Sequence, residues 1–172
     1  MTRLQVLRTV VVLVVTLVLL VGSALPAFAQ EDACPTDLYL PAGNACADFD
    51  LNIVVGCGGH GMSRVFTDKD GNVRSISAGT GTPLLFTNVS TGENFSTISN
   101  GSVWRKTFNA DGTIDVVATG HSVIILFPTD VPAGPSTTLY VGQVVYRDDG
   151  YSNFTLLRTS GKSMDICAAL SD

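Results

Sequence analysis

Positive charge is scarce in this chain. Ten lysines and arginines stand against fifteen aspartates and glutamates, and the longest basic run is the pair Arg105-Lys106. Nucleic-acid binding rests on several phosphate-neutralising side chains held together, so nucleic acid is not expected as a partner. Histidine is scarcer still, with His60 and His121 alone, and tryptophan occurs once, at Trp104. His60 and Cys57 carry donor types that suit zinc, but no further His or Cys lies at ligand spacing, so no metal site is expected. A Gly-x-Ser-x-Gly nucleophile elbow is lacking, and His121 beside Ser122 would point to the opposite face of a strand. No stretch repeats apolar residues at 3.6-residue spacing long enough to pack a helix. Catalysis is therefore not expected, and neither is a cofactor.

What is present begins with a targeting pattern. Arg3 and Arg8 precede an apolar run over residues 10–21, and Ala27-Phe28-Ala29 supplies a small-x-small cleavage site before Gln30. The run is short of the roughly 20 residues that span a bilayer, so residues 1–29 read as a secretory signal peptide rather than a retained anchor. The expected product is secreted and extracellular, with no stable membrane anchor after cleavage. It would hold eight basic and fifteen acidic residues in a single domain.

All four cysteines, Cys34, Cys46, Cys57 and Cys167, lie in the exported part. An even count in an oxidising compartment reads as two disulfides. Residues 49–55 read as one extended strand, which would hold Cys46 and Cys57 some 30 Å apart at about 3.3 Å per residue. That disfavours Cys46–Cys57 and, with it, Cys34–Cys167. Two pairings remain, and Cys34–Cys57 with Cys46–Cys167 is preferred because it ties the first strand to the end of the chain.

The order of turns predicts the rest. Residues 30–47 lack a sustained period and read as an irregular arm, followed by one β domain over 48–172. Phe49, Leu51, Ile53 and Val55 alternate with polar residues. Hairpin turns are expected at Asp68-Lys69-Asp70-Gly71-Asn72, Asn109-Ala110-Asp111-Gly112 and Asp148-Asp149-Gly150, where Gly and Asn tolerate positive φ. Strands are expected over 64–67, 73–78, 84–89, 95–99, 103–108, 113–118, 122–127, 137–147 and 154–160. Prolines at 128, 132 and 135 demand a loop, and only 164–170 suits a helical turn. The fold class is all-β: an antiparallel β-barrel or β-sandwich of about eight to ten short strands joined mainly by hairpins, in which an up-and-down order would bring first and last strands together.

Gly56, Gly58 and Gly61 spell the dinucleotide fingerprint G-x-G-x-x-G, yet a strand follows where a helix N-terminus is required. The stretch reads instead as a connection between strands, with Cys57 anchoring it. The acidic turns fall short of the spaced oxygen ligands of a calcium loop and read as solvated turns. Candidates for ligand contact are His60, His121, Trp104, Tyr140 and Tyr146. The two tyrosines share a strand face with Gly142, which leaves a gap between their rings.

Residues 45–51 (Ala-Cys-Ala-Asp-Phe-Asp-Leu), 66–72, 118–121, 125–135 and 165–170 together resemble an uncharacterised family of small secreted all-β actinobacterial proteins. The resemblance implies export and a β fold and supplies no site residues; Cys34 and Cys57 fall outside it. The function expected is that of a disulfide-stabilised binding or surface-interaction module. A lipocalin-like carrier of a small apolar ligand is the alternative, and a secreted hydrolase a weaker one.

Overall fold

The computed structural model describes residues 34–98 and 101–171. The expected signal peptide and its cleavage site lie outside the described residues. The chain divides into units Met1–Ala33 and Cys34–Asp172, and the elements that follow belong to the second.

Ten strands form two antiparallel sheets. A four-stranded sheet has the order β1-β2-β5-β6, built from β1 (Thr36–Leu40), β2 (Leu51–Val55), β5 (Leu84–Asn88) and β6 (Asn94–Thr97). A six-stranded sheet has the order β10-β9-β8-β7-β4-β3. Its strands are β3 (Gly61–Thr67), β4 (Val73–Gly79), β7 (Ser102–Phe108), β8 (Ile114–Leu126), β9 (Ser136–Asp148) and β10 (Phe154–Asp165). Among the described residues one short helix, α1 (Ile166–Ala169), follows β10, with the Asp165 carboxylate accepting from the Ala168 N–H. Neither sheet closes on itself among the described residues.

The core lies between the sheets. Leu51 and Ile53 of β2 and Phe86 of β5 meet Val123, Ile125 and Leu139 of the larger sheet, with Ile166 and Leu170 sealing one end. Two buried polar groups fasten that end: Asn88 Nδ2 donates to the Leu170 carbonyl at 2.9 Å, and Thr137 Oγ1 donates to the Ala45 carbonyl at 3.0 Å. Each replaces the water that burial removes.

The disulfides join Cys34 to Cys57 and Cys46 to Cys167, the pairing that the first-strand length and the chain end select. Their context differs from the expectation. The first and last strands lie in different sheets, so the up-and-down order does not hold; Cys46–Cys167 links the segment before β2 to α1.

Three further expectations need correction. The arm over 30–47 is not irregular throughout: Thr36–Leu40 pairs with β2 in full register, and Ala45 and Cys46 belong to the core. Pro35 and Pro41 bracket that strand, and its edge position removes the strong apolar alternation that marks a half-buried strand. Gly120 does not end a strand, because β8 runs through it unbroken. Likewise β10 continues past Ser160 to Asp165.

The reason is a row of small residues across the whole six-stranded sheet. Register pairs Gly61 with Gly79, Gly79 with Ser102, Ser102 with Gly120, Gly120 with Gly142 and Gly142 with Gly161. A Cβ on Gly120, whose φ is +108°, would stand 2.4 Å from the Gly101 carbonyl oxygen. The strands approach there as only glycine permits. The sheet also folds over at this row. Tyr146 pairs with Val116, which lies ten residues from Leu126 along β8. In a flat strand that is about 33 Å, yet Tyr146 and Leu126 line one hollow of about 240 Å³.

Candidate functional site

The fold-over creates the site. Beyond Gly120, β8 loses β7 as a neighbour, because β7 begins at Ser102 opposite Gly120. The freed edge of β8 then faces a cleft of about 480 Å³ between the sheets. Leu84 and Phe95 of the smaller sheet line one side and Val123, Leu139 and Val141 the other, with Trp104, His121 and Ser122 also bordering the cleft.

Trp104 is the pivot. It borders this cleft, the 240 Å³ hollow inside the fold, and a third depression of about 380 Å³ beside His60. Its Nε1–H donates to Ser102 Oγ at 2.9 Å, which fixes the indole over the glycine row. The indole meets Tyr146 edge-on at 6.3 Å, and Tyr146 meets Phe154 edge-on at 5.4 Å. Each such pair adds about 0.5–1.5 kcal/mol beyond the area it buries. Burial, with Asp148 nearby, pushes the Tyr146 hydroxyl up to about 12.

Ser122 enters the sequence reading only as the strand neighbour of His121. It is 5 % exposed, and no protein group among those described hydrogen-bonds to its hydroxyl. A buried hydroxyl without a partner costs about 1–3 kcal/mol, so its position beside the cleft is chemically informative. Asp130 carries no motif in the sequence. Buried at 3 % exposure, it accepts from the Phe127 N–H at 2.6 Å and the Phe154 N–H at 2.7 Å. Those bonds hold the proline-containing loop across the end of the inner hollow.

Of the residues expected to contact a ligand, Trp104 and His121 meet at the cleft, and Tyr146 joins Trp104 in the hollow behind it. His60 lines the outer depression and its backbone N–H donates to Thr80 Oγ1 at 3.1 Å. Tyr140 pairs with Ser122 and Ser163 and lines none of these three spaces. The gap expected over Gly142 is filled by β10: a Cβ there would stand 2.1 Å from the Ser160 carbonyl oxygen.

The G-x-G-x-x-G stretch leads from one sheet to the other, next to the return connection. A Cβ on Gly56 would meet Pro83 at 2.7 Å, and one on Gly59 would meet Thr82 at 2.7 Å. Its glycines serve the close passage of two crossing segments. The acidic turns are self-satisfied. Asp68 accepts from the Asp70 and Asn72 N–H groups and pairs with Arg74; Asp149 accepts from Tyr151 and Asn153. These donors hold both carboxyls below their ordinary range, led at Asp68 by the Asn72 N–H and at Asp149 by the Asn153 side chain. Among the described residues no group of three or more His, Cys, Asp or Glu converges as a metal site. No described helix is long and apolar enough to cross a membrane.

The described residues form an all-β, disulfide-stabilised domain with a cleft between its sheets at Trp104, His121 and Ser122; no protein-family model matches the chain, and no curated protein or solved structure is significantly similar to it.

Proposed function

We propose that this is a secreted, non-enzymatic binding module, sandwich-like in its layering, that holds one small and mainly apolar molecule in the cleft between its sheets. The observation that supports this reading is the unpartnered Ser122 hydroxyl, 5 % exposed, set in a cleft of about 480 Å³ whose apolar walls alternate with Thr82, Ser96, Thr97 and Ser102. Sites for small molecules fall at about 300–1,000 Å³, mostly apolar with a few placed polar groups. A ligand with one hydrogen-bonding group would satisfy Ser122 while its apolar body lies against Phe95, Leu84 and Leu139. The carrier alternative uses this same cleft rather than a barrel lumen. The two disulfides agree with an oxidising compartment.

Native mass spectrometry of the protein collected from the medium of an exporting host tests this. One small molecule per chain is expected as added mass. Val141 lies at the cleft wall and is 38 % exposed, so Val141→Phe fills the space without entering the core. That variant is expected to show the bare chain mass. A bare mass for the unsubstituted protein, or identical added mass on both, would overturn the proposal.

A further inference from the structure

The face of the six-stranded sheet opposite Trp104 has a different chemistry. Register sets Arg64, Ile76, Arg105, Val117, Val145 and Arg158 side by side in one row. The adjoining row holds Phe66, Arg74, Thr107, Asp115, Arg147 and Thr155. Every arginine beyond residue 33 is therefore on this one face, each on a different strand and each exposed. Lys69, Lys106 and Lys162 lie outside both rows.

Two of the five arginines are already engaged. Arg147 pairs with Asp115 through two hydrogen bonds, at 2.6 and 3.0 Å, and Arg74 pairs with Asp68 at the rim. Arg158 donates to Gln143 at 2.7 Å and makes no ion pair among the described residues, and neither do Arg64 and Arg105. The basic array thus sits on a chain whose overall charge is −5. Asp115 lies within the second row and Asp68 and Asp111 lie beside it, so the positive charge left without an ion pair is that of Arg64, Arg105 and Arg158 in the first row.

We propose that this face docks on an anionic lipid surface. Neighbouring strands lie about 4.8 Å apart, which places Arg64 about 10 Å from Arg105 and Arg105 about 14 Å from Arg158 at the backbone. The row spans about 24 Å from β3 to β10, so Arg64, Arg105 and Arg158 cannot all meet on one phosphate or carboxylate. The fitting partner is an extended array of anions. Apolar side chains lie among the guanidinium groups: Met62 is 78 % exposed and Phe66 40 %. A shallow hollow of about 430 Å³ is bordered by Met62, Arg64, Ile76 and Ala78. An apolar hollow beside a guanidinium suits an acyl chain under an anionic headgroup better than a soluble polyanion.

Co-sedimentation with vesicles tests the assignment, using the protein collected from the medium of an exporting host. It is expected to bind vesicles of equal parts phosphatidylcholine and phosphatidylglycerol, to ignore pure phosphatidylcholine, and to be released by high salt. The triple variant Arg64→Gln, Arg105→Gln, Arg158→Gln is expected to lose affinity on the order of 100-fold. The triple variant Lys69→Gln, Lys106→Gln, Lys162→Gln removes the same charge elsewhere and is expected to bind within about threefold of the unsubstituted protein. Circular dichroism confirms that each variant is folded. Equal losses in the two variants, no binding to the mixed vesicles, or capture by dextran sulfate without vesicle binding would each overturn the proposal. None of these outcomes bears on the cleft.

Discussion

Replacing Gly120 with alanine strikes the row on which the sheet folds over. The new Cβ would lie 2.4 Å from the Gly101 carbonyl oxygen and 3.1 Å from the Ser102 Cα, both backbone atoms that no rotamer change can move. The residue must also keep a φ of +108°, a conformation that costs an alanine about 1–3 kcal/mol. To relieve the contact, β7 must withdraw from β8 by most of an ångström. That movement breaks the His121 N–H bond to the Gly101 carbonyl, 3.3 Å long, and loosens the Ser102–Gly120 pairing. Two lost hydrogen bonds add about 2 kcal/mol, for a total of about 3–5 kcal/mol. Gly112 provides the control: its φ is +87°, but a Cβ there meets nothing within 4 Å. Gly112→Ala carries the backbone term alone, about 1–2 kcal/mol. Urea unfolding, followed in parallel by Trp104 emission and far-UV circular dichroism, measures both. The predicted order is a large loss for Gly120→Ala and a small one for Gly112→Ala. Equal losses would refute the close approach of β7 and β8 and, with it, the origin of the cleft.

Other perturbations follow from the same geometry. Removing Cys46–Cys167 with paired alanines frees a loop of 121 residues' separation and is expected to destabilise by about 5 kcal/mol, against about 3.5 kcal/mol for Cys34–Cys57 with a separation of 23. Denaturant midpoints of the two double variants check that order. Tyr146 is expected to ionise near pH 12 rather than 10.0; tyrosinate absorbance should lose its component near pH 12 in Tyr146→Phe. Because the folded state holds that proton more tightly, the stabilising contribution is intact below pH 10.0 and declines as pH rises through about 12. Ser122→Ala removes a buried hydroxyl that has no protein partner, so it is expected to stabilise the ligand-free protein by about 1 kcal/mol in urea unfolding. A destabilisation of similar size would show that the hydroxyl is satisfied within the fold.

Much of the local structure was legible because turn chemistry is local. Asp68, Asp111 and Asp149 each accept a backbone N–H two residues on, and the hairpins predicted at those sites are formed. The cysteine pairing was legible because strand length limits how near two residues can be. The division into two sheets was not, since the crossing segments at 56–60 and 80–83 carry the same Gly and Thr signals as hairpin turns. The glycine row was invisible for a related reason. Positions 61, 79, 120, 142 and 161 have no common spacing and align only through register. The arginine face escaped a search for basic runs because each strand contributes one residue; in the pair Arg105-Lys106, the two side chains point to opposite faces. Trp104, His121 and Tyr146 were legible as candidates by residue type, while Ser122 gains meaning only from its burial without a partner.

The claim that a small apolar molecule enters the cleft is tested most directly by energy transfer from Trp104, the single tryptophan, to the uncharged probe N-phenylnaphthylamine. The account predicts saturable quenching of Trp104 emission with one probe per chain, and a loss of affinity of at least about tenfold in Val141→Phe, since filling a pocket removes the area a ligand would bury. Absence of saturable transfer, or transfer of equal affinity in Val141→Phe, would contradict it.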